Sequence, residues 1–193
     1  MAAVERRSVI DMRRLGLVIA ALAVAAVAAR VATPSSSSHV RFSAALACGF
    51  ERWKVKTLQD RPRLYRAHAI TIGQLTSHER PTPLPPNRAP FERRVFSVDA
   101  AVTLVRHEPD GDFHLILEDG ADHMIAESPS SACNGGATTY RRRQMRQARE
   151  NLRLCAHARV AGVAFFDFNH AQTGVAPNAI ELHPILDFAC FSG

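Results

Sequence analysis

The sequence contains no Gly-x-Ser-x-Gly elbow, no phosphate-binding P-loop and no His-x-Glu-x-x-His spacing, so no short motif announces a hydrolase or an NTPase. Its four cysteines include no pair at CxxC-like spacing, which argues against a zinc-binding knuckle. No internal repeat is visible, which leaves solenoids and propellers aside. The longest apolar run, Leu15–Ala29, covers 15 residues. As a helix it would reach about 22 Å, short of the ~30 Å hydrocarbon core of a bilayer.

That run has a role all the same. Arg6, Arg7, Arg13 and Arg14 precede it and Ala26-Val27-Ala28 offers the small residues that signal peptidase needs, so residues 1–29 read as a secretory signal peptide. Snorkelling by Arg14 and Arg30 would let the same run act as an uncleaved membrane anchor, the one membrane contact expected of the chain. Ser-Val-Ile-Asp after the Arg6-Arg7 pair matches a twin-arginine signal poorly. Residues 30–47, with Thr-Pro-Ser-Ser-Ser-Ser at 33–38, read as a flexible linker. The formal charge is +6, and without the first 28 residues 20 basic and 16 acidic side chains remain. That balance dictates no particular partner.

One folded domain is expected over 48–188, with 189–193 as a loose tail. Glu51–Leu58 has strand spacing, Trp53, Val55 and Thr57 against Arg52, Lys54 and Lys56. The mixed segment 59–77 contains Ile70, Ile72 and Leu75, enough for a short packed turn or helix, and the Pro-rich stretch 81–90 reads as an extended connection. A long, bent strand is predicted over Arg94–Arg106, from the alternation of Phe96, Val98, Ala100, Val102 and Leu104 with polar residues. Pro109-Asp110-Gly111 supplies a turn, so Asp112–Glu118 returns as its hairpin partner, with Phe113, Leu115 and Leu117 inward and Asp112, His114, Ile116 and Glu118 outward. His123–Glu127 adds a short strand. Thr138 or Thr139 caps a helix running to about His157, in which Met145, Ala148, Leu152 and Cys155 form a narrow apolar stripe. Six arginines, Arg141, Arg142, Arg143, Arg146, Arg149 and Arg153, cover the rest, offset by Glu150. Val160–Phe168 reads as a doubly buried strand, and Ile180–Phe188 as one with Glu181 and His183 on a wet face.

A helix between the third and fourth strands of a five-stranded antiparallel set is the arrangement of the OB-fold, so the expected fold is an OB-fold-like barrel, mainly β with one helix. A β-sandwich is the competitor. The segments Glu51-Arg-Trp-Lys-Val-Lys-Thr57, Asp110–Leu117, Met124–Pro129 with Cys133, and GVAFFDFNHAQTGVAPNAIELHPIL at 162–186 resemble a family of uncharacterised exported bacterial proteins, collinear from about Cys48 to Asp187. The resemblance implies layout and export and no activity. The Arg-rich helix, Cys155 and Cys190 depart from it. Four cysteines in an exported chain allow three complete pairings. The resemblance implies Cys48 with Cys133, and leaves Cys155 either as a small buried hydrophobe or as a partner for Cys190.

The candidate polar cluster is Asp112, His114, Asp167, His170, Glu181 and His183, with Glu127 beside them. Carboxylates and imidazoles together can hold a divalent metal or share proton transfer near neutral pH. The reading placed ahead of a site is structural: Asp167, Asn169 and His170 tie down the loop between the last two strands, and Glu181 and His183 decorate an exposed strand face. Three functions are expected, in order. The first is a non-catalytic exported module, cofactor-free, that binds a ligand or partner at the cell envelope. The second is a metal-assisted hydrolase of nuclease-like topology using the cluster. The third is a weak nucleic-acid binder using the Arg-rich helix. Nucleic acid is not the expected partner, because the outward sheet face offers Asp99, Asp112, His114 and Glu118 where phosphate would lie.

Overall fold

The computed structural model describes residues 48–49 and 51–191. The signal or anchor segment and the linker lie outside them. Among the described residues no helix is long and apolar enough to cross a membrane.

Five strands close into a barrel: β2 (Val95–His107), β3 (Phe113–Asp119), β4 (Asp122–Ser128), β5 (Cys155–Phe166) and β6 (Ile180–Cys190). They take the order β2-β3-β4-β6-β5, and β2 pairs back onto β5. Closure depends on the length of β2. Its first half runs antiparallel to β5 from Val95↔Val163, its second half antiparallel to β3, and a register shift after Val102 bends it between the two. The β4–β6 seam is parallel and the others antiparallel, so the barrel is mixed where a purely antiparallel one was expected. A three-residue strand, β1 (Ala67–Ala69), lies parallel to the start of β2 on the edge that β3 takes further along.

The local signals act where expected. Gly111 takes φ +88° in the Pro-Asp-Gly turn, and Gly120 takes +64° in the tight β3–β4 connection. The long helix, α3 (Thr139–Asn151), starts at Thr138, whose side chain accepts from Arg141 N at 3.3 Å. It stands between β4 and β5, the third and fourth barrel strands, with Met145 and Ala148 buried. The short helix α2 (Ile72–Thr76) buries Ile72 and Leu75 and opens on a Thr71/Gln74 capping box. The interior holds Val98, Val102, Leu115, Leu117, Met124, Val160 and Leu182, among others. A second cluster, Leu58, Val95, Ala137, Met145, Val163 and Leu186, packs apart from it. Each such large apolar side chain contributes about 1.5–3 kcal/mol by burial.

Several expectations are corrected. Glu51–Leu58 is no strand. Arg52 and Leu58 have left-handed φ of 49° and 56°, and between them lies a single helical turn, α1 (Trp53–Lys56). A turn of helix places Arg52 and Lys56, four residues apart, toward the same side, which strand geometry also allows but with twice the reach. The barrel strand that Glu51–Leu58 does not supply is β4, which contains the stretch His123–Glu127. Helix α3 ends at Asn151, so Cys155 opens β5 and is not on the helical stripe, and β6 continues through Ala189 and Cys190, which were expected in a loose tail. Two disulfides form, Cys48–Cys133 and Cys155–Cys190. The second ties the start of β5 to the end of β6.

Candidate functional site

A further correction concerns the face expected to be wet. His114, Glu181 and His183 alternate with core residues on β3 and β6, as predicted, and Glu127 joins them from β4, but all four are buried, His114 and His183 with 0% exposure. The strand period is right and the solvent is wrong, because the chain covers this face itself. From one side α1 brings Arg52 and Lys56 over the Phe165 ring, 4.7 and 5.3 Å from its centroid. From the other, the β5–β6 loop lays Thr173 and Gly174 on β3: Thr173 O is 3.1 Å from His114 Nε2, and Gly174 sits so close to Ile116 that a Cβ would come within 2.7 Å of its Cγ1. The Cys48–Cys133 bridge fastens the segment leading into α1 to the loop after β4.

Burying this many charges demands compensation in place. Glu127 is the hub, with Oε1 3.0 Å from His114 Nδ1 and Oε2 3.1 Å from His183 Nδ1. His183 Nδ1 is also 3.1 Å from Glu181 Oε1. Lys56 donates to Asp167 Oδ2 at 2.7 Å. Beside them Arg52 and Glu92 form a doubly hydrogen-bonded pair, in which Glu92 also accepts from Ala89 N and Phe166 N.

The geometry fixes the protons. His114 stands between a carboxylate and a carbonyl, both acceptors, so both its ring nitrogens donate. Burial opposes that charge, and the hydrogen bond and charge of Glu127 outweigh it, raising the His114 pKa. His183 Nδ1 faces two carboxylates and donates; burial would lower its pKa, yet Glu127 and Glu181 push it up to about 9. Glu127 meets burial that would raise its pKa, but hydrogen bonds from both histidines hold it well below the usual carboxylate range. Glu181 is left with the weaker share: burial, then the charges of Glu127 and Asp167, push it up to about 7. Lys56 is raised by Glu181, Asp167 and Glu127 against the effect of burial. Asp112 is raised by burial, with Ser130 N donating to its Oδ1 at 2.8 Å.

Of the predicted cluster, Asp112, His114, Glu181 and His183 therefore converge around Glu127, and Asp167 joins through Lys56. His170 does not. It is exposed on the β5–β6 loop, paired with Glu51 at 2.6 Å. Lys56 and the Arg52–Glu92 pair are charged neighbours of the cluster that the sequence does not single out. The signal present was two cations four residues apart in an apolar setting, which alternation disguised as the polar face of a strand. One donor atom from each of Asp112, Glu127 and His183 lies within 4.8 Å of the others, so carboxylate and imidazole groups that could hold a metal ion are brought together, as are Glu51, Asp167 and His170. Substrate has little room here: the cavity against Glu181, Asp167 and Ile125 measures about 10 Å³, about enough for one water.

Open space lies elsewhere. A cleft of about 720 Å³ separates residues 64–67 from α3, with Val95, Ala161 and Leu186 among its apolar lining. A second hollow of about 770 Å³ shares Tyr65, Arg66, Ala67 and Val95 and extends to Phe91 and Arg94. The chain has only two tyrosines, and both, Tyr65 and Tyr140, line the first cleft with 63% and 56% of their surface exposed. Arg141 lies over the Tyr140 ring at 5.2 Å and Arg94 over Phe91 at 5.3 Å. Asp187 is the acidic residue lining the cleft.

No protein-family model and no curated protein matches the chain. Among solved structures it is similar to an aspartyl-tRNA synthetase from Leishmania major Friedlin, at 12% identity over 63% of this chain and 20% of that one, with a TM-score of 0.42. It is also similar to the aspartyl-tRNA synthetase from Entamoeba histolytica, at 13% identity over 68% of this chain and 26% of that one, with a TM-score of 0.37. The chain thus spans about a fifth of the first enzyme and a quarter of the second.

Proposed function

We propose that the protein is an exported, non-catalytic OB-barrel module that binds an extended anionic partner at the cell envelope along the cleft between β1 and α3. Export is supported by the signal-like N-terminus, by the resemblance to exported bacterial proteins and by two disulfides, which persist in oxidising compartments. The observation that carries the binding reading is the placement of both tyrosines, exposed, on one cleft beside Arg66 and Arg141. Tyr and Arg are among the side chains most enriched where binding energy concentrates.

The OB-fold commonly takes ligands on its second and third strands. Here those are β3 and β4, and part of their outer face is occupied by the chain's own loop. The hydrolase reading is weaker for the same reason: its acids and bases are covered and mutually neutralised. Anisotropy titration of a labelled sulfated oligosaccharide tests the proposal. Arg66→Glu with Arg141→Glu is expected to weaken binding at least ten-fold, and Arg142→Glu with Arg143→Glu, on the same helix, to weaken it two-fold or less. Equal losses from both pairs would reduce the interaction to the general charge of the helix and contradict a cleft site. A single-stranded DNA arm is expected to bind no tighter than the micromolar range and to weaken steeply with salt.

A further inference from the structure

We propose that the partner of the β1–α3 cleft is an extended peptide with acidic side chains, which adds as a strand to the free edge of β1. This rests on the cleft reading above and names the class of partner the cleft takes. Among the described residues β1 pairs with β2 alone, and Ala67, His68 and Ala69 are all exposed. Its other edge therefore presents backbone N–H and C=O groups that a second strand can meet in register and a polysaccharide cannot. Three residues supply few such bonds, so the spaces beside the edge decide which strand it takes.

Those spaces lie on opposite faces of the β1–β2 strip. The hollow of about 770 Å³ is lined by Phe96, which belongs to the barrel interior, and the cleft of about 720 Å³ by Leu186, which belongs to the second cluster. Tyr65, Arg66 and Ala67 line both and form the ridge between them. Successive side chains of an added strand point to opposite faces, so one alternate set enters each space. Pro90, Phe91 and Phe96 suit the hollow to apolar side chains. Arg66 and Arg141, beside Tyr65 and Tyr140, suit the cleft to acidic ones. Ion pairing points the same way. Arg66, Arg94 and Arg141 have no carboxylate partner among the described residues, whereas Arg52, Arg88 and Arg159 each hold one. Against these three cations the two linings together offer one acidic residue, Asp187.

The test titrates the oxidised full-length chain into a labelled peptide that alternates Asp and Val over about seven residues, an ordinary strand length. Saturable binding is expected, weakened at least ten-fold by Arg66→Glu with Arg141→Glu. Two further peptides carry N-methyl groups, one on every Asp amide and the other on every Val amide, with charge and side chains unchanged. In a strand the amides of one set face the neighbouring strand and those of the other face away. One methylated peptide is therefore expected to bind at least ten-fold more weakly than the parent, and the other within three-fold of it. Failure of the parent peptide to bind, or equal affinity of the two methylated peptides, overturns strand addition. The cleft reading is judged separately. A labelled sulfated oligosaccharide whose binding still depends on Arg66 and Arg141 leaves the cleft standing with a different partner, whereas indifference of both probes to that double substitution removes the cleft and the strand together.

Discussion

Two regions of this molecule are rich in charge, and they differ in almost everything else. On α3 the arginines Arg142, Arg143 and Arg146 stand toward solvent, and the contact Arg146 makes with Glu150 is 3.9 Å long and exposed on both sides. On the outer face of β3, β4 and β6, by contrast, Glu127, His114, His183 and Glu181 lie beneath α1 and the β5–β6 loop with every carboxylate answered by a cation. The composition of the two regions gives no hint of the difference. What separates them is the presence of a cover, and the cover changes a charged side chain from a group that can be exchanged freely into one whose partner cannot be removed.

The contrast can be probed at several points. The largest effect is expected at Lys56. Lys56→Met leaves Asp167 and Glu181 short of their cation and should cost about 3–5 kcal/mol in urea unfolding, since one partner of a buried set is removed. Adding Glu181→Gln to Lys56→Met should recover part of that loss, whereas simple additivity would show that the two are not coupled. Next comes the staple. Replacing Cys48 and Cys133 by Ser opens a bridge spanning 85 residues and should lower stability by roughly 2–5 kcal/mol, read as a shift in the unfolding midpoint. Smaller again is Gly174→Ala, at φ +87° and hard against Ile116; a cost of about 1–3 kcal/mol is expected, together with faster amide exchange in β3 near His114. On α3 the expectation divides within one helix. Arg149 donates to Ser128 O and Gly111 O and covers the Phe113 ring at 4.2 Å, so Arg149→Ala should cost about 1–2 kcal/mol, while Arg142→Gln and Arg143→Gln should stay within about 0.5 kcal/mol.

Much of the barrel could be read from the chain. The alternation through Val98, Ala100 and Val102, the Pro-Asp-Gly turn and the Thr138 cap are local signals whose physics does not depend on the rest of the fold, and each acts where it was placed. The site was legible in membership and illegible in setting. His114, Glu181 and His183 were identified because they sit at polar positions of a two-residue period, and for that same reason they read as solvent-facing: periodicity tells which side of a strand a residue takes, never what covers that side. The cover came from α1, whose single turn is too short to show a helical period, and from a loop whose fit against Ile116 is tertiary. Cys155 belongs to β5 and not to the helix because the apolar spacing of three and four residues continues a few residues past the end of the helix at Asn151.

That this polar face is enclosed, and so serves the fold and not a substrate, is tested most directly by histidine footprinting. Brief treatment of the native chain with diethyl pyrocarbonate, with peptide mass mapping afterwards, compares all the described histidines at once. His68, His78, His107, His123, His157 and His170 are exposed and should be modified readily, while His114 and His183 should remain unmodified until the chain is unfolded. Modification of His183 at a rate like that of His170 in the folded protein would show that reagents, and hence substrates, reach the cluster, and would restore the catalytic reading in place of the binding one.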